Sequence, residues 1–575
     1  MTRSGRAVFS IAGLVVSLLV FAWPQFSARF AGAPAAYPLV TIVFTALIVA
    51  LVITWPGGEQ PPGSRSSGWR AGTLVMTAAG ALIVVVAAYR WTRILVWQPY
   101  QADMLIVIRE ATRRFLSGRT PYTTYRSYDA PWNMAMPYGP GLWGPFLVAQ
   151  LLRLDFRFLT IAGELFVPVW CGAAAAFEWM RGRVAAAIVW LALAAALVAA
   201  LDVQGFTFIG HTPVYWPLFP LFAIAIARSR WTWAACLLGL LVLARTTMVA
   251  VVPVFAWAAW SSDRRRFPVA LGGLLATIGI GILPFVAWDY RGVWDNMVLS
   301  YPRVMREAVW PVLAHPGIET IGVTEWLIER HREALVMPTQ LLAMLVVYAA
   351  AGRAIRRGAA ALPWMALALF TFSMTTLYPV HYLYYDVLLL LVCAALAAIP
   401  GFVQAGAGGR PWLLSFSVVI VLIAAVALTQ LSKLPQADAG DDASNAIMRS
   451  GFAMTEREGQ RPFRWIVGHE ATVILPRRSA QAAAIVVTAQ SPFGPADAPQ
   501  TVTGILNGTV LGHQTVEAGW REISFAAPRS AWWIGFNQLR LVFSSTVSPR
   551  AAGAGDDGRE LALAVSSVAV AARTE

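Results

Sequence analysis

The sequence predicts a polytopic α-helical membrane protein that ends in an all-β sandwich or jelly-roll domain. Three observations predict it. Of 575 residues, 58% are apolar and 13% charged, against about 45–50% and about 25% in a soluble domain. Long apolar runs recur from residue 8 to residue 430, separated by short arginine clusters. Beyond that point the runs shorten, alternate, and are punctuated by turn residues.

A bilayer core of ~30 Å takes ~20 apolar residues per helix, fewer where helices are broken or buried. The runs then read as spans near 8–27, 37–55, 72–98, 158–180, 184–201, 213–227, 231–244, 247–260, 267–288, 338–352, 360–377, 383–400 and 412–430. That is about thirteen transmembrane helices. MTRSGR before the first run resembles a signal peptide, but with so many spans behind it the run reads as an uncleaved first helix.

Arginine placement orients the chain. Arg3/Arg6, Arg65/Arg70, Arg181/Arg183, Arg228/Arg230, Arg264/Arg265/Arg266, Arg353/Arg356/Arg357 and Arg410 all fall on one side if every span crosses. The positive-inside rule makes that side cytoplasmic. The N-terminus is then cytoplasmic, and a first outer loop (99–157), a second outer loop (289–337) and the C-terminal domain lie outside. The expected location is a membrane that the chain crosses many times. The formal net charge of +14 is spent in these clusters, so a nucleic-acid partner is not expected. Cys171, Cys236 and Cys393 all lie in apolar runs and form neither a disulfide framework nor a metal cluster.

The first outer loop opens with Asp103. A helix follows, with Met104, Ile108, Ala111 and Phe115 on one face, Arg109 with Arg113 on another, and Glu110 set to pair with Arg114 at i, i+4. Such a basic amphipathic helix reads either as lying in the lipid interface or as an ordinary surface connector. Gly118 ends it, and a Tyr/Pro/Gly-rich stretch follows, containing Tyr125, Tyr128, Asp129, Pro137, Tyr138, Gly139 and Pro140. Arg245 interrupts the apolar pair 231–244 and 247–260. Flanking arginines require that pair to return to its starting side, so Arg245 sits at an outward turn. An ionisable residue in an apolar segment is costly and marks a functional candidate.

The second outer loop carries Asp289, Asp295, Arg303 and Arg306 and reads as a second amphipathic segment. The run 378–386, containing His381, Tyr382, Tyr384, Tyr385 and Asp386, lies where one outward span end meets the next. It reads either as a phosphate-binding group of donors or as an aromatic belt. The domains are therefore 1–434, a polar linker 435–445, and 446–575. Strands are expected in FRWIVG, EATVILP, AAIVVTAQ, TVTGILNG, TVLGHQTV, REISFAAP, NQLRLVFSS and ELALAVSSVAVAA, with a hairpin at Asn507-Gly508. No HExxH, GxSxG, Walker or GxGxxG arrangement appears in the proper strand–helix context, which lowers hydrolase, nucleotide-driven and dinucleotide readings.

Three features together resemble the first extracytoplasmic loop of GT-C glycosyltransferases: Asp103 just past an early span, a helix ending G-x-x-P-Y (118–122), and MPYGPG (136–141). Bacterial polyprenyl-phosphate-mannose-dependent mannosyltransferases are the nearest likeness. AACLLGLLVLAR (234–245) and the P-x-H-Y segment at 379–382 resemble further family positions. The tail pattern NG-x-x-L-G, GW, P-x-x-x-W-W-x-G-x-N resembles carbohydrate-binding jelly rolls fused to membrane enzymes. The resemblance implies transfer of a sugar from a polyprenyl-phosphate donor to a glycan or glycolipid acceptor at the outer face, with inversion. It implies Asp103 as general base and Arg245, His381, His211 and Tyr382 around the donor phosphate. Tyr138, Asp129 and Arg109 are loop contacts. No cofactor is implied with certainty; some relatives use a divalent metal, though no ligand cluster here demands one. Read without the resemblance, Asp103 is a first-turn helix acid and Arg245 an arginine snorkelling to the interface. Two other functions fit many spans: a transporter or flippase of lipid-linked glycans, and a non-catalytic scaffold displaying a glycan-binding β-domain. Trp465, Trp520, Trp532 and Trp533 offer that domain stacking faces or core.

Overall fold

The computed structural model describes residues 78–88, 103–126, 133–199, 212–304, 322–377, 383–399, 437–438, 448, 451–477, 480–492, 499–551, 553 and 555–572. By internal contacts it divides into two units. One holds residues 104–147 and 159–420 with the N-terminal segment to 87; the other holds 88–103, 148–158 and 421–575.

The first unit is helical. It contains α1 (Ala78–Ala88), α2 (Asp103–Leu116), a two-stranded ribbon β1 (Thr124–Arg126) with β2 (Asn133–Ala135), α3 (Pro140–Trp143) and α4 (Phe146–Leu152). It continues through α5 (Arg157–Met180), α6 (Val184–Ala199), α7 (Leu218–Ala227), α8 (Trp231–Ala244), α9 (Val252–Ser262) and α10 (Phe267–Val293). The last helices are α11 (Ser300–Val304), α12 (Val323–Ile328), α13 (Val336–Arg356), α14 (Ala361–Thr375) and α15 (Tyr384–Ala397). Asp103 and residues 148–158 of α2, α4 and α5 belong by contacts to the second unit.

Three helices among the described residues are long and apolar enough to cross a membrane: Arg157–Met180, Phe267–Leu299 and Glu333–Arg356. The other apolar helices are shorter, because breaks interrupt the runs: at Arg245, and at the 3-10 turn Thr212–Tyr215 before α7. The expected spans 8–27, 37–55 and 412–430 lie outside the described residues. Leu275, Ile280 and Leu283 of α10 and Leu341, Leu342 and Leu345 of α13 are exposed. Large unshielded apolar faces of this kind fit lipid contact.

The helix after Asp103 differs from an interfacial one. Leu105 through Arg109 are all buried, more than one full turn, so protein encloses its N-terminal half on every side. Glu110 pairs with Arg113 (2.9 Å) and lies 3.8 Å from Arg109. Arg114 instead donates to the Thr120 carbonyl (2.7 Å). The i, i+3 partner wins because the carbonyl of the turn claims the i+4 guanidinium. The helix closes with paired bonds, Gly118 N–H to Phe115 O and Arg119 N–H to Arg114 O, around Gly118 at φ +74°. In α10, Asp289 leaves helical geometry (φ −154°, ψ 79°) and accepts the Gly292 N–H (2.9 Å), so the expected second outer loop starts on a helical continuation.

The second unit is built on two antiparallel sheets. Its strands are β3 (Ala437–Asp438), β4 (Phe452–Glu458), β5 (Arg461–Val467), β6 (Glu470–Arg477), β7 (Ala483–Gln490), β8 (Gln500–Leu506), β9 (Thr509–Val516), β10 (Arg521–Ala527), β11 (Gly535–Phe543) and β12 (Leu561–Ala572). One sheet runs β10-β7-β12-β5-β4, with β3 also on β12; the other runs β6-β11-β8-β9. Inward residues alternate, as with Ile485 and Val487 on β7, Val502 and Leu506 on β8, and Leu539 and Leu541 on β11. They meet in a single core shared by both sheets. Asn507 (φ 49°) and Gly508 (φ 82°) turn the β8–β9 hairpin, as the sequence predicts.

Residues 153–157 belong to this unit and complete its rim. Leu154 bridges Ile534 in parallel, with Asp155 N–H to Ile534 O and Ile534 N–H to Arg153 O, both 2.8 Å. Asp155 and Arg157 form a fully buried ion pair (2.8 Å), and Asp155 Oδ1 also accepts the Arg157 N–H. Phe156 packs on Trp533, with ring centres 5.5 Å apart.

Candidate functional site

Arg245 is the charged residue around which the helical unit's polar interior is arranged. α8 ends at Ala244, and Arg245 takes an extended conformation (φ −140°, ψ 107°) before the 3-10 turn Thr246–Val251. The helix breaks where the sequence places a polar Arg-Thr-Thr inside an apolar pair. Arg245 is buried, with its Nε 3.7 Å from Asp386 Oδ2. Asp386 is equally buried, in the first turn of α15, where the helix dipole favours an acid. The Tyr215 hydroxyl donates to both carboxylate oxygens, at 2.8 and 3.0 Å. Beside them the Trp216 and Tyr385 rings stack at 6.3 Å, 24° apart.

Two glycine contacts fix the surroundings. A Cβ on Gly139 would run into the Leu243 carbonyl, so the MPYGPG backbone lies directly on the last turn of α8, two residues before Arg245. A Cβ on Gly163 would run into the Pro213 carbonyl, which seats α5 on the 3-10 turn that carries Tyr215. Next to Gly163, Glu164 is a buried carboxylate on a candidate span. The loop is held elsewhere by Met136 N–H to Asn296 Oδ1 (3.2 Å). The Phe115, Tyr122, Trp143 and Phe285 rings form a group with neighbouring centres 5.2–5.9 Å apart.

Asp103 is the first residue of α2, and its side chain lies outside the described residues. His211, His381, Tyr382 and Asp129 also lie outside them. Tyr138 is half-buried and donates to the Met104 sulfur (2.7 Å), so the loop touches the turn that follows Asp103. Arg109 is buried beside Glu110. Arg245 is brought together with the 378–386 run through Asp386, a residue to which sequence reasoning gave no role. The rule that singles out Arg245, an ionisable side chain inside an apolar run, also finds Asp386 and Glu164 when applied evenly.

In the β unit, Trp532 and Trp533 are core, while Trp465 and Trp520 are half-buried. Trp520 has Arg461 over its ring (5.0 Å), Phe463 against it (5.7 Å) and its indole N–H on Glu458. Among the described residues no three His, Cys, Asp or Glu side chains gather as metal ligands would.

A buried guanidinium flanked by a carboxylate and a phenol, under a glycine-rich loop, can hold an anionic group in a low-dielectric pocket. Comparison with protein-family models, curated proteins and solved structures found no match to this chain.

Proposed function

We propose that this chain is a GT-C-like membrane glycosyltransferase with about thirteen spans and an extracytoplasmic jelly roll. It takes a hexose or pentose from a polyprenyl-phosphate donor and passes it to a glycan or glycolipid of the cell envelope, in the manner of the mannosyltransferases it resembles. It works at the outer face of a bacterial plasma membrane, with its N-terminus in the cytoplasm. Asp103 removes the proton from the acceptor hydroxyl, which attacks the anomeric carbon from the face opposite the phosphate. The C1–O bond to phosphate breaks with inversion, and the phosphate leaves with its electron pair. Arg245, His381, His211 and Tyr382 bind that phosphate and stabilise its growing charge. Tyr138, Arg109 and Asp129 shape the loop over the site.

The observation that carries this reading is the burial of Arg245 at a helix break beneath the MPYGPG backbone. A permanent charge inside an apolar unit is costly; Asp386 offsets part of that cost, and ionisable groups held at such a break mark a functional site. The Tyr138–Met104 contact adds support, because it ties the same loop to the residue following Asp103.

The test is transfer by the purified full-length protein in nanodiscs, given decaprenyl-phosphate mannose and arabinose and a membrane glycolipid extract. Wild type forms a covalent glycosyl product, and Asp103→Asn loses it by at least ~10²-fold with an unchanged unfolding temperature. Movement of lipid-linked sugar across the bilayer without covalent product would establish a transporter instead. Equal behaviour of both proteins, without product or flux, would leave a scaffold.

A further inference from the structure

Three separate elements converge on one carboxylate. Asp386 comes from the first turn of α15, Tyr215 from the 3-10 turn before α7, and Arg245 from the break after α8. Neither the resemblance nor the apolar pattern assigns Asp386 or Tyr215 a task. The short bonds to the carboxylate come from Tyr215 at 2.8 and 3.0 Å, whereas Arg245 meets it on its Nε edge at 3.7 Å. The latter distance is too long for a hydrogen bond and is a charge contact. The carboxylate is therefore anchored by the phenol and acts on the guanidinium through its field.

The backbone gives this arrangement a purpose. Arg245 stands outside helical geometry, at the break after α8, with its side chain buried in the helical unit. An arginine side chain has large rotamer freedom, and transfer chemistry needs the donor phosphate fixed to a fraction of an ångström. Gly163 seats the Tyr215 turn on α5, so the anchor itself sits on packed backbone.

We infer that Asp386 and Tyr215 are positioning residues for Arg245. Asp386 orients the guanidinium toward the donor phosphate, and Tyr215 holds Asp386. This rests on the glycosyl-transfer reading above. A further consequence follows from charge. The Asp386 carboxylate repels the same phosphate that Arg245 attracts, so removing its charge does not weaken donor binding. It loosens the geometry of transfer.

Full-length protein in nanodiscs with a decaprenyl-phosphate sugar donor gives the test. Asp386→Asn lowers kcat per folded molecule by about 10- to 100-fold, while the donor KM stays level or falls. Asp386→Glu recovers part of kcat. Tyr215→Phe lowers kcat in the same direction, and the Tyr215→Phe/Asp386→Asn double variant is no slower than Asp386→Asn alone. A residue that merely stabilises the fold would change the yield of folded protein and leave kcat intact. Unchanged kcat in Asp386→Asn, or multiplying losses in the double variant, overturns the inference. Thermal unfolding reads the pair without turnover. Arg245→Gln and Asp386→Asn each lower the midpoint, and together they lower it by less than the sum. Additive shifts overturn the inference even if the wild type transfers sugar. Absence of transfer by the wild type, with a non-additive cycle, overturns the enzymatic reading and keeps the pair.

Discussion

Arg245 and Asp386 stand 141 residues apart in the chain and meet in the interior of the helical unit, Nε to Oδ2 at 3.7 Å. Neither is stable there alone. Taking one charge out of water costs several kcal/mol, and only the partner's opposite charge and hydrogen bonds offset it. That mutual dependence makes each residue's replacement informative.

Arg245→Ala leaves Asp386 buried without its charged partner, held by neutral donors such as Tyr215. The expected cost is about 3–5 kcal/mol of stability, read as a lowered thermal midpoint in nanodiscs. Arg245→Lys keeps the charge and loses the planar fork. It should recover most of the stability and little of the transfer rate. Equal recovery of both would mean that the fork has no part in the chemistry.

The buried pair Asp155–Arg157 makes the second unit depend on residues far from its strands. Asp155→Ala removes the ion pair and the side-chain bond to the Arg157 N–H. About 3–5 kcal/mol of stability should be lost, with earlier proteolysis near residues 529–535. Protease resistance equal to wild type would show that the 153–157 segment does not stabilise the sheets.

Asn537 is fully buried in the same unit. Its Oδ1 accepts the Trp533 N–H (2.7 Å) and a bond from Asn507 (2.8 Å), and its Nδ2 donates to the Leu475 and Trp533 carbonyls. Asn537→Leu strands these partners, each at about 1–3 kcal/mol, and should prevent stable folding of the unit at 37 °C. The measurement is the yield of protease-resistant full-length protein.

Asp557 gives the second unit an acid-sensitive contact. Hydrogen bonds from the Arg559 guanidinium and backbone N–H hold its carboxyl below the ordinary carboxylate range. A carboxyl lowered in the folded state stabilises it above the unfolded pKa, and that contribution disappears as pH falls through the folded value. Asp557→Asn should therefore lower the midpoint at pH 7, by a gap that begins to narrow below about pH 3.9, the ordinary value for aspartate, and closes once pH has fallen through the lower folded value. A constant gap down to pH 2 would remove Asp557 from the account.

How much of this was legible beforehand depends on which force decides each element. β7 and β9 match their predicted runs because period-two alternation and the Asn507-Gly508 turn are local signals. β4 was missed: FAMTERE is mostly exposed and charged, as an edge strand can be, and carries little apolar alternation. The break at Arg245 was legible because a lone arginine interrupts an apolar run. The burial of Leu105 through Arg109 in α2 was not legible, since an amphipathic pattern does not show what packs on the polar side of a helix. Asp386 was visible in the sequence but not as a partner of Arg245. Such pairing is set by tertiary packing across 141 residues, and no periodicity carries it. The attachment of residues 153–157 to Ile534 is of the same non-local kind.

The most direct measurement is a cryo-EM structure of the full-length protein in nanodiscs with decaprenyl phosphate bound. The account predicts phosphate density within hydrogen-bond reach, about 2.7–3.2 Å, of the Arg245 guanidinium, with the Asp103 carboxylate facing the same pocket. Phosphate bound elsewhere, with Arg245 turned to lipid or Asp103 on the opposite side of the membrane, would contradict it.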